Sequence, residues 1–300
     1  VPGIFTPSQI AGWKRVTDAI HAEGAFIFCQ LWHVGRASFP SLLDGRKPLS
    51  ASDILISGKA FDGTEYASNQ LKDMTVDEIK ETVEEFAAAA KRAIEAGFDG
   101  VEVHENDYLI EQVHGNADNP TDAYGGSIEN RCRFPLEVIK AVTAAVGADR
   151  IGIRLSSYNY YLGTRDSDPN VHWLHLCEQL AALSSKNRPC YVHMVKLCFD
   201  EVLDEIAKLE ALSAFTGDKH ARPLRRCSAA SWDQVPLDAD AADAIVFGRL
   251  FIANPDLPRR LNEGLGLNAY ERSRFYGADP PQNGYTDYPL YEKKKANGTA

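Results

Sequence analysis

The chain has 300 residues, of which 44% are hydrophobic and 25% charged, so it is long enough for a large core and its composition excludes a disordered protein. A formal net charge of -10 argues against nucleic acid or an anionic membrane as the main partner, because both require a concentrated basic surface. No apolar run approaches the roughly 18 residues of a membrane span, and no signal-peptide pattern opens the chain. We therefore expect a site for a small molecule.

The six cysteines are scattered, form no C-x-x-C pair, and have no nearby histidine at the spacing of a zinc site. The sequence therefore predicts neither a disulfide framework nor a metal site. Reduced thiols favour a cytoplasmic protein. The oligomeric state stays open.

Helix patterns and short apolar runs alternate along the chain. Thr6 is predicted to cap a first helix, because Pro7 takes the first helical position and Gln9 completes a capping box. This helix is expected to end near Gly24, and a strand is predicted over residues 25–32, AFIFCQLW.

A second capping box, Thr75 with Glu78, predicts a packed helix that Gly97 ends. The strand FDGVEVH is predicted next, over residues 98–104. The same alternation continues to about residue 261. The later helices are expected over about 127–146, 173–183, 200–212 and 254–261, and the later strands over 150–156, 190–195, about 223–228 and 244–248.

Strands that are apolar on both faces and separated by helices indicate a parallel sheet, and this many repeats favour a (β/α)8 barrel of the TIM type. About six of the eight strands are visible in the sequence. We therefore expect one barrel domain over residues 1–300, N-terminally incomplete, with a C-terminal extension from about residue 265.

Polar side chains recur where the predicted strands end. Barrel enzymes build their sites at the carboxyl ends of the strands, so this recurrence predicts an active site there. The residues are Gln30, Trp32, His104, Arg154, Gly248 and Arg249.

Several longer motifs carry a family resemblance. They are QLWHVGRAS at 30–38, TDAYGGSIENRCRF at 121–134, GIRLS at 152–156 and VFGRLFIANPDLPRRL at 246–261, followed by RFYG and GYTDYP. With them the chain resembles the old yellow enzymes, which are FMN-dependent ene-reductases on an eight-stranded barrel. It is most similar to fungal members of secondary metabolism.

The resemblance implies reduction of an alkene conjugated to a carbonyl, with hydride from FMN that NADPH has reduced. His104 and Asn106 would donate hydrogen bonds to the carbonyl oxygen, and Tyr108 would protonate the α-carbon. By the same resemblance Gln30 and Arg154 bind the flavin ring. The remaining implied roles are phosphate binding by Gly248 and Arg249, and a substrate pocket lined by Trp32, Asp107 and Tyr276.

The sequence departs from the family pattern at several positions. The family reads His-x-x-Asn-x-Tyr where this chain reads His104-Glu105-Asn106-Asp107-Tyr108, one residue shorter, which displaces the downstream residues by up to about 3.5 Å. Two strands are expected before Val1. Other differences lie at Pro120, at 196–198 and at 227–230, where Cys-Ser-Ala-Ala replaces a Gly-Gly pair.

These departures leave two alternatives open. One is a redox-neutral isomerase or cyclase on the same barrel, with altered or absent flavin. The other is a non-catalytic family remnant whose motifs maintain the fold.

Overall fold

The structure is a computed structural model that describes residues 2–60, 62–105, 109–110, 123–155, 162, 169–194, 244, 246–275 and 279–292. The chain divides into two compact units, Val1–Ala229 and Ala230–Ala300. The expected single domain with a C-terminal extension stays a prediction.

The described helices and strands follow the predicted alternation. The helices are α1 (Pro7–Ala22), α2 (Val76–Glu95), α3 (Ile128–Arg131), α4 (Arg133–Val146), α5 (Pro169–Ala182), α6 (Arg249–Ala253) and α7 (Leu257–Glu263). The strands are β1 (Phe28–Leu31), β2 (Leu49–Ser50), β3 (Lys72–Asp73), β4 (Gly100–His104), β5 (Ile151–Leu155) and β6 (Tyr191–Met194). Short 3-10 turns lie at Gly35–Ala37, Pro40–Leu42, Tyr66–Ser68, Ala148–Arg150 and Arg272–Arg274.

Both predicted capping boxes are confirmed. The Thr6 hydroxyl accepts from the Gln9 amide while the Gln9 side chain accepts from the Thr6 N–H, so two otherwise unpaired donors of α1 are satisfied. Thr75 and Glu78 make the same pair of bonds at the start of α2. Gly97, with φ +90°, follows α2 and turns the chain away from the helix, as predicted.

The helix predicted over about 127–146 is two helices, α3 and α4, separated at Cys132. Ser127 caps α3 through its hydroxyl, which accepts from the Asn130 amide at 3.3 Å. Pro135 has no N–H to bond the Arg131 carbonyl, so the hydrogen-bond ladder is interrupted at this point. The prediction of one continuous helix was wrong for this reason.

The main sheet has four parallel strands in the order β1-β4-β5-β6, and β2 pairs with β3 in a separate two-stranded sheet. Residues 244 and 246–248 of the predicted strand AIVFG are not in a strand, so that prediction was wrong for them. Val246 is 67% exposed, which is incompatible with the inner position of a paired, buried strand. The helix predicted at 200–212 and the strand at 223–228 lie outside the described residues.

Alternate residues of β4 and β5 form the core beneath the helices. Val101, Val103, Ile151, Ile153 and Leu155 are at most 1% exposed and belong to one apolar cluster with side chains of α2 and α4. Full burial of each such side chain stabilises the fold by about 1.5–3 kcal/mol relative to exposure. The apolar sequence of these strands is thereby explained by contact with the helical layer.

Two glycines make room for aromatic rings on the other face of the sheet. A Cβ at Gly100 would overlap the Phe28 ring, and a Cβ at Gly152 would overlap the Tyr191 ring. The two rings contact each other, with centroids 5.8 Å apart. Phe28 and Tyr191 therefore occupy space that side chains of β4 and β5 would otherwise fill.

The second unit is organised around a buried arginine. Arg260, on α7, is 2% exposed and donates to the Asp256 carboxylate at 2.6 Å and to the carbonyl oxygens of Gly266 and Pro289 at 2.9 Å each. Its guanidinium also lies over the Tyr291 ring. A buried charge is tolerated because it is paired and its donors are satisfied.

Among the helices that the structure describes, none is both long and apolar enough to cross a membrane.

We predict that Gly152→Ala lowers the free energy of unfolding by about 1–3 kcal/mol, because the new methyl group must displace the Tyr191 ring. Urea denaturation would measure the change. Gly12→Ala is the matched control, since a Cβ at this position in α1 meets nothing within 4 Å, and its effect is expected to be neutral or stabilising. Equal losses in the two variants would contradict the proposed steric cause.

Candidate active site

The site begins with the side chains of β4 that point away from the core. Successive side chains of a strand lie on opposite faces, so burial of Val101 and Val103 beneath the helices places Glu102 and His104 on the other face. The register then sets Gln30 of β1 beside Glu102. One layer nearer the carboxyl ends of the strands, it aligns His104 with Arg154 and Arg154 with His193.

Glu102 lies at the centre of this group and accepts hydrogen bonds from two other strands. Gln30 Nε2 donates to Oε1 at 2.7 Å, the Tyr191 hydroxyl donates to Oε2 at 3.1 Å, and His193 Nδ1 lies 3.0 Å from the same Oε2. Burial raises the pKa of Glu102, but the bonds from His193, Gln30 and Tyr191 together hold that pKa below its usual value. Glu102 is therefore a carboxylate, with acceptors only, at neutral pH.

His104 is held as a neutral imidazole. Its Nε2 lies 3.1 Å from Arg154 Nη1, and a guanidinium has donors but no acceptor, so Nε2 accepts and the ring proton lies on Nδ1. Burial, followed by the neighbouring positive charge of Arg154, lowers the pKa of His104 to about 3. Any hydrogen bond that His104 donates must therefore come from Nδ1.

The loop after β1 is fixed by buried polar contacts. Arg36 is 7% exposed and donates to the carbonyl oxygens of Ile54 and Leu162, while Asn69 donates to the Ser38 carbonyl at 2.7 Å. These bonds fix the last part of the QLWHVGRAS motif, residues 36–38, against residues far along the chain. This part of the motif therefore has a structural role.

A family profile described as the NADH:flavin oxidoreductase / NADH oxidase family matches residues 1–268. The chain belongs to this family. It is 58% identical to flavin oxidoreductase hxnT of Emericella nidulans, over 97% of this chain and 79% of that protein. It is 42% identical to 12-oxophytodienoate reductase 1 of Oryza sativa subsp. japonica, over 97% of this chain and 76% of that protein.

Solved structures of the same family have the same fold. Morphinone reductase in complex with tetrahydroNAD superposes with a TM-score of 0.74 at 38% identity, over 97% of this chain and 80% of that one. The old yellow enzyme homologue from Zymomonas mobilis gives a TM-score of 0.76 at 31% identity, over 97% and 81% of the two chains. The predicted family and the predicted (β/α)-barrel class are therefore confirmed, and the chain is an FMN-family oxidoreductase.

The structure brings together three of the predicted site residues of this oxidoreductase. Gln30, His104 and Arg154 lie at the carboxyl ends of adjacent strands, and Trp32, which is half-buried, directly follows β1. Four other predicted site residues lie outside the part of the chain that the structure describes: Asn106, Asp107, Tyr108 and Tyr276.

Gly248 and Arg249 belong to the second unit, so their predicted phosphate role stays a prediction. Gly248 precedes α6 and its carbonyl accepts from the Phe251 amide at 2.9 Å. A Cβ at Gly248 would meet nothing within 4 Å, and the Arg249 guanidinium lies 5.9 Å from the Tyr270 ring centroid.

The sequence reasoning missed Glu102, Tyr191 and His193. The sequence contained one signal for Glu102. It is a charged residue inside an otherwise apolar strand, and because it lies two places before His104, the two side chains share one face of the strand. Tyr191 and His193 gave no such signal, since their meeting with Glu102 depends on the register of β6 across β5.

The described residues hold no group of three or more metal-ligating side chains. The cysteines within the same part of the chain, Cys29, Cys132, Cys177 and Cys190, are free thiols.

We predict that His104 makes the folded protein less stable as the pH falls below its ordinary pKa of 6.5. Between pH 6.5 and about 3 the unfolded chain binds a proton at His104 that the folded chain does not, so acidification costs up to about 1.4 kcal/mol per pH unit. Urea denaturation from about pH 7 to about pH 5 would measure the slope.

His104→Gln removes this titration and should flatten the slope. An unchanged slope in His104→Gln would show that His104 binds its proton equally in the folded and unfolded chains, and would contradict the prediction.

Proposed function

We propose that this family member reduces an alkene conjugated to a carbonyl, with FMN as cofactor and NADPH as reductant. The observation that carries the proposal is the juxtaposition of the Gln30 amide, the Arg154 guanidinium and the neutral His104 imidazole at one end of a parallel sheet. Sites of barrel enzymes lie at this end of the strands.

The donor set fits a flavin ring. One edge of an isoalloxazine presents carbonyl oxygens and an N–H, which require both donors and acceptors. The exposed Gln30 amide has both, and Arg154 provides a donor-only fork for the carbonyl side. When bound, FMN supplies the hydride that the alkene accepts.

His104 then acts on the substrate as a neutral donor. Because Nε2 is occupied by Arg154, the Nδ1–H would point to the carbonyl oxygen and stabilise the negative charge that develops there. We assign the second donor to Asn106 and the proton that reaches the α-carbon to Tyr108. We assign binding of the phosphate to Gly248 and Arg249, and lining of the substrate pocket to Trp32, Asp107 and Tyr276.

The names of the relatives support a carbonyl substrate and a nicotinamide reductant. One relative is a 12-oxophytodienoate reductase, another is morphinone reductase, and both names denote reduction of an oxo compound. The morphinone reductase structure holds tetrahydroNAD. NADPH rather than NADH is part of the proposal and is tested by comparing the two reductants.

We expect the purified protein to bind FMN with a shifted visible spectrum and to reduce cyclohexenone to cyclohexanone with NADPH. Arg154→Ala should raise the FMN dissociation constant about 10- to 100-fold, because a charge-assisted hydrogen bond is lost. His104→Ala should retain FMN and lower kcat/KM for the enone by about 100-fold, as loss of one oxyanion donor does.

Arg150→Ala is the matched control, since Arg150 is exposed in the turn directly before β5, away from the carboxyl end where Arg154 lies, and should not affect FMN binding. A folded protein that takes up no FMN would refute the proposal and leave the two alternatives, a flavin-independent isomerase or cyclase and a non-catalytic role. Conversion of an enone to a product of unchanged mass would instead establish the redox-neutral isomerase or cyclase.

A further inference from the structure

We propose that Glu102 is a positioning residue of this site, which fixes the amide of Gln30 so that Oε1, rather than Nε2, is presented to FMN. This inference rests on the proposed function, because it assigns the reason why Gln30 would bind the flavin in one orientation.

The orientation follows from the chemistry of the pair. A glutamine amide has a donor end and an acceptor end of nearly the same size, so its side chain alone does not decide which end faces a ligand. Glu102 is a carboxylate and accepts hydrogen bonds only, so the 2.7 Å contact to its Oε1 must come from the NH2 group of Gln30. The carbonyl oxygen of Gln30 consequently points away from Glu102.

Glu102 is itself held in place by β6. The Tyr191 hydroxyl and His193 Nδ1 both contact Oε2, so the carboxylate cannot rotate without losing two bonds. Tyr191 reaches Glu102 across the intervening strand β5, and it does so over Gly152, the position that has no side chain to block it. A glycine on β5 and a tyrosine and a histidine on β6 thus support the orientation of one amide on β1.

The Glu102 carboxylate accepts hydrogen bonds at both of its oxygens, which an amide of the same shape cannot do. Three donors converge on Glu102, and only an all-acceptor group matches all of them. In Glu102→Gln the new NH2 group must face either Gln30 or the Tyr191 and His193 side. The Tyr191 and His193 side has two donors that would have to reverse, whereas the Gln30 side has one amide that can turn over, so we expect the NH2 group to face Gln30. Gln30 then turns over to accept, and its NH2 group replaces Oε1 toward the ligand.

The expected consequence is weaker FMN binding without loss of the fold. A reversed Gln30 amide meets the ring N–H with a donor, so one hydrogen bond is lost, and the FMN dissociation constant of Glu102→Gln should rise about tenfold, equivalent to about 1.4 kcal/mol. Removal of the negative charge should also move the reduction potential of the bound flavin to a more positive value, because the reduced state carries more negative charge.

The experiment is a double-mutant cycle on the FMN-loaded protein, with Glu102→Gln, Gln30→Ala and the double variant. Flavin fluorescence quenching gives the FMN dissociation constant, and dye equilibration gives the potential. If Glu102 acts through Gln30, then Glu102→Gln changes FMN binding in the wild-type background and has little further effect when Gln30 is already alanine. Additive effects on the FMN dissociation constant would overturn the inference, because they would make the two residues independent in FMN binding.

Glu137→Gln is the matched control, since this carboxylate also accepts from a tyrosine hydroxyl, that of Tyr124 at 2.8 Å, but lies on α4. It should leave both the FMN dissociation constant and the potential unchanged. Wild-type protein that binds no FMN would refute the proposed function, whereas wild-type binding with no change in Glu102→Gln would refute only the role of Glu102.

Discussion

Burial of alternate residues of β4 beneath two helices is the constraint on which the site depends. Val101 and Val103 have almost no exposed surface, and the pleat of the strand then obliges Glu102 and His104 to face the other way. A slip of one residue in the register would bury the two polar side chains against α2 and α4, at a cost of several kcal/mol. The hydrophobic core therefore determines where the chemistry takes place.

Two charged groups with a single hydrogen-bonding role then set the polarity of the site. Arg154 only donates, and it makes the nearest imidazole nitrogen of His104 an acceptor. Glu102 only accepts, and it makes the nearest group of Gln30 a donor. The His104 ring has two possible tautomers and the Gln30 amide has two possible orientations, and these contacts select one of the two in each case.

Much of this arrangement could be predicted from the sequence because it is encoded locally. Capping boxes at Thr6 and Thr75 mark helix starts within four residues, and polar residues at the ends of apolar runs identified Gln30, His104 and Arg154. The contacts of Glu102 with β6 could not be predicted, since a single sequence does not contain the lateral register of strands some 90 residues apart. The break at Cys132 could have been predicted from the sequence, because Pro135 has no N–H with which to continue the hydrogen-bond ladder.

Arg260, at the centre of the second unit, limits where the protein can be truncated for experiments. The family profile ends at residue 268, yet Arg260 donates to the Pro289 carbonyl and stacks on Tyr291. A version cut at the profile boundary would expose the guanidinium on one side and remove a partner that it requires for burial. Residues 289 and 291 are thus part of the folded unit, although the family profile does not reach them.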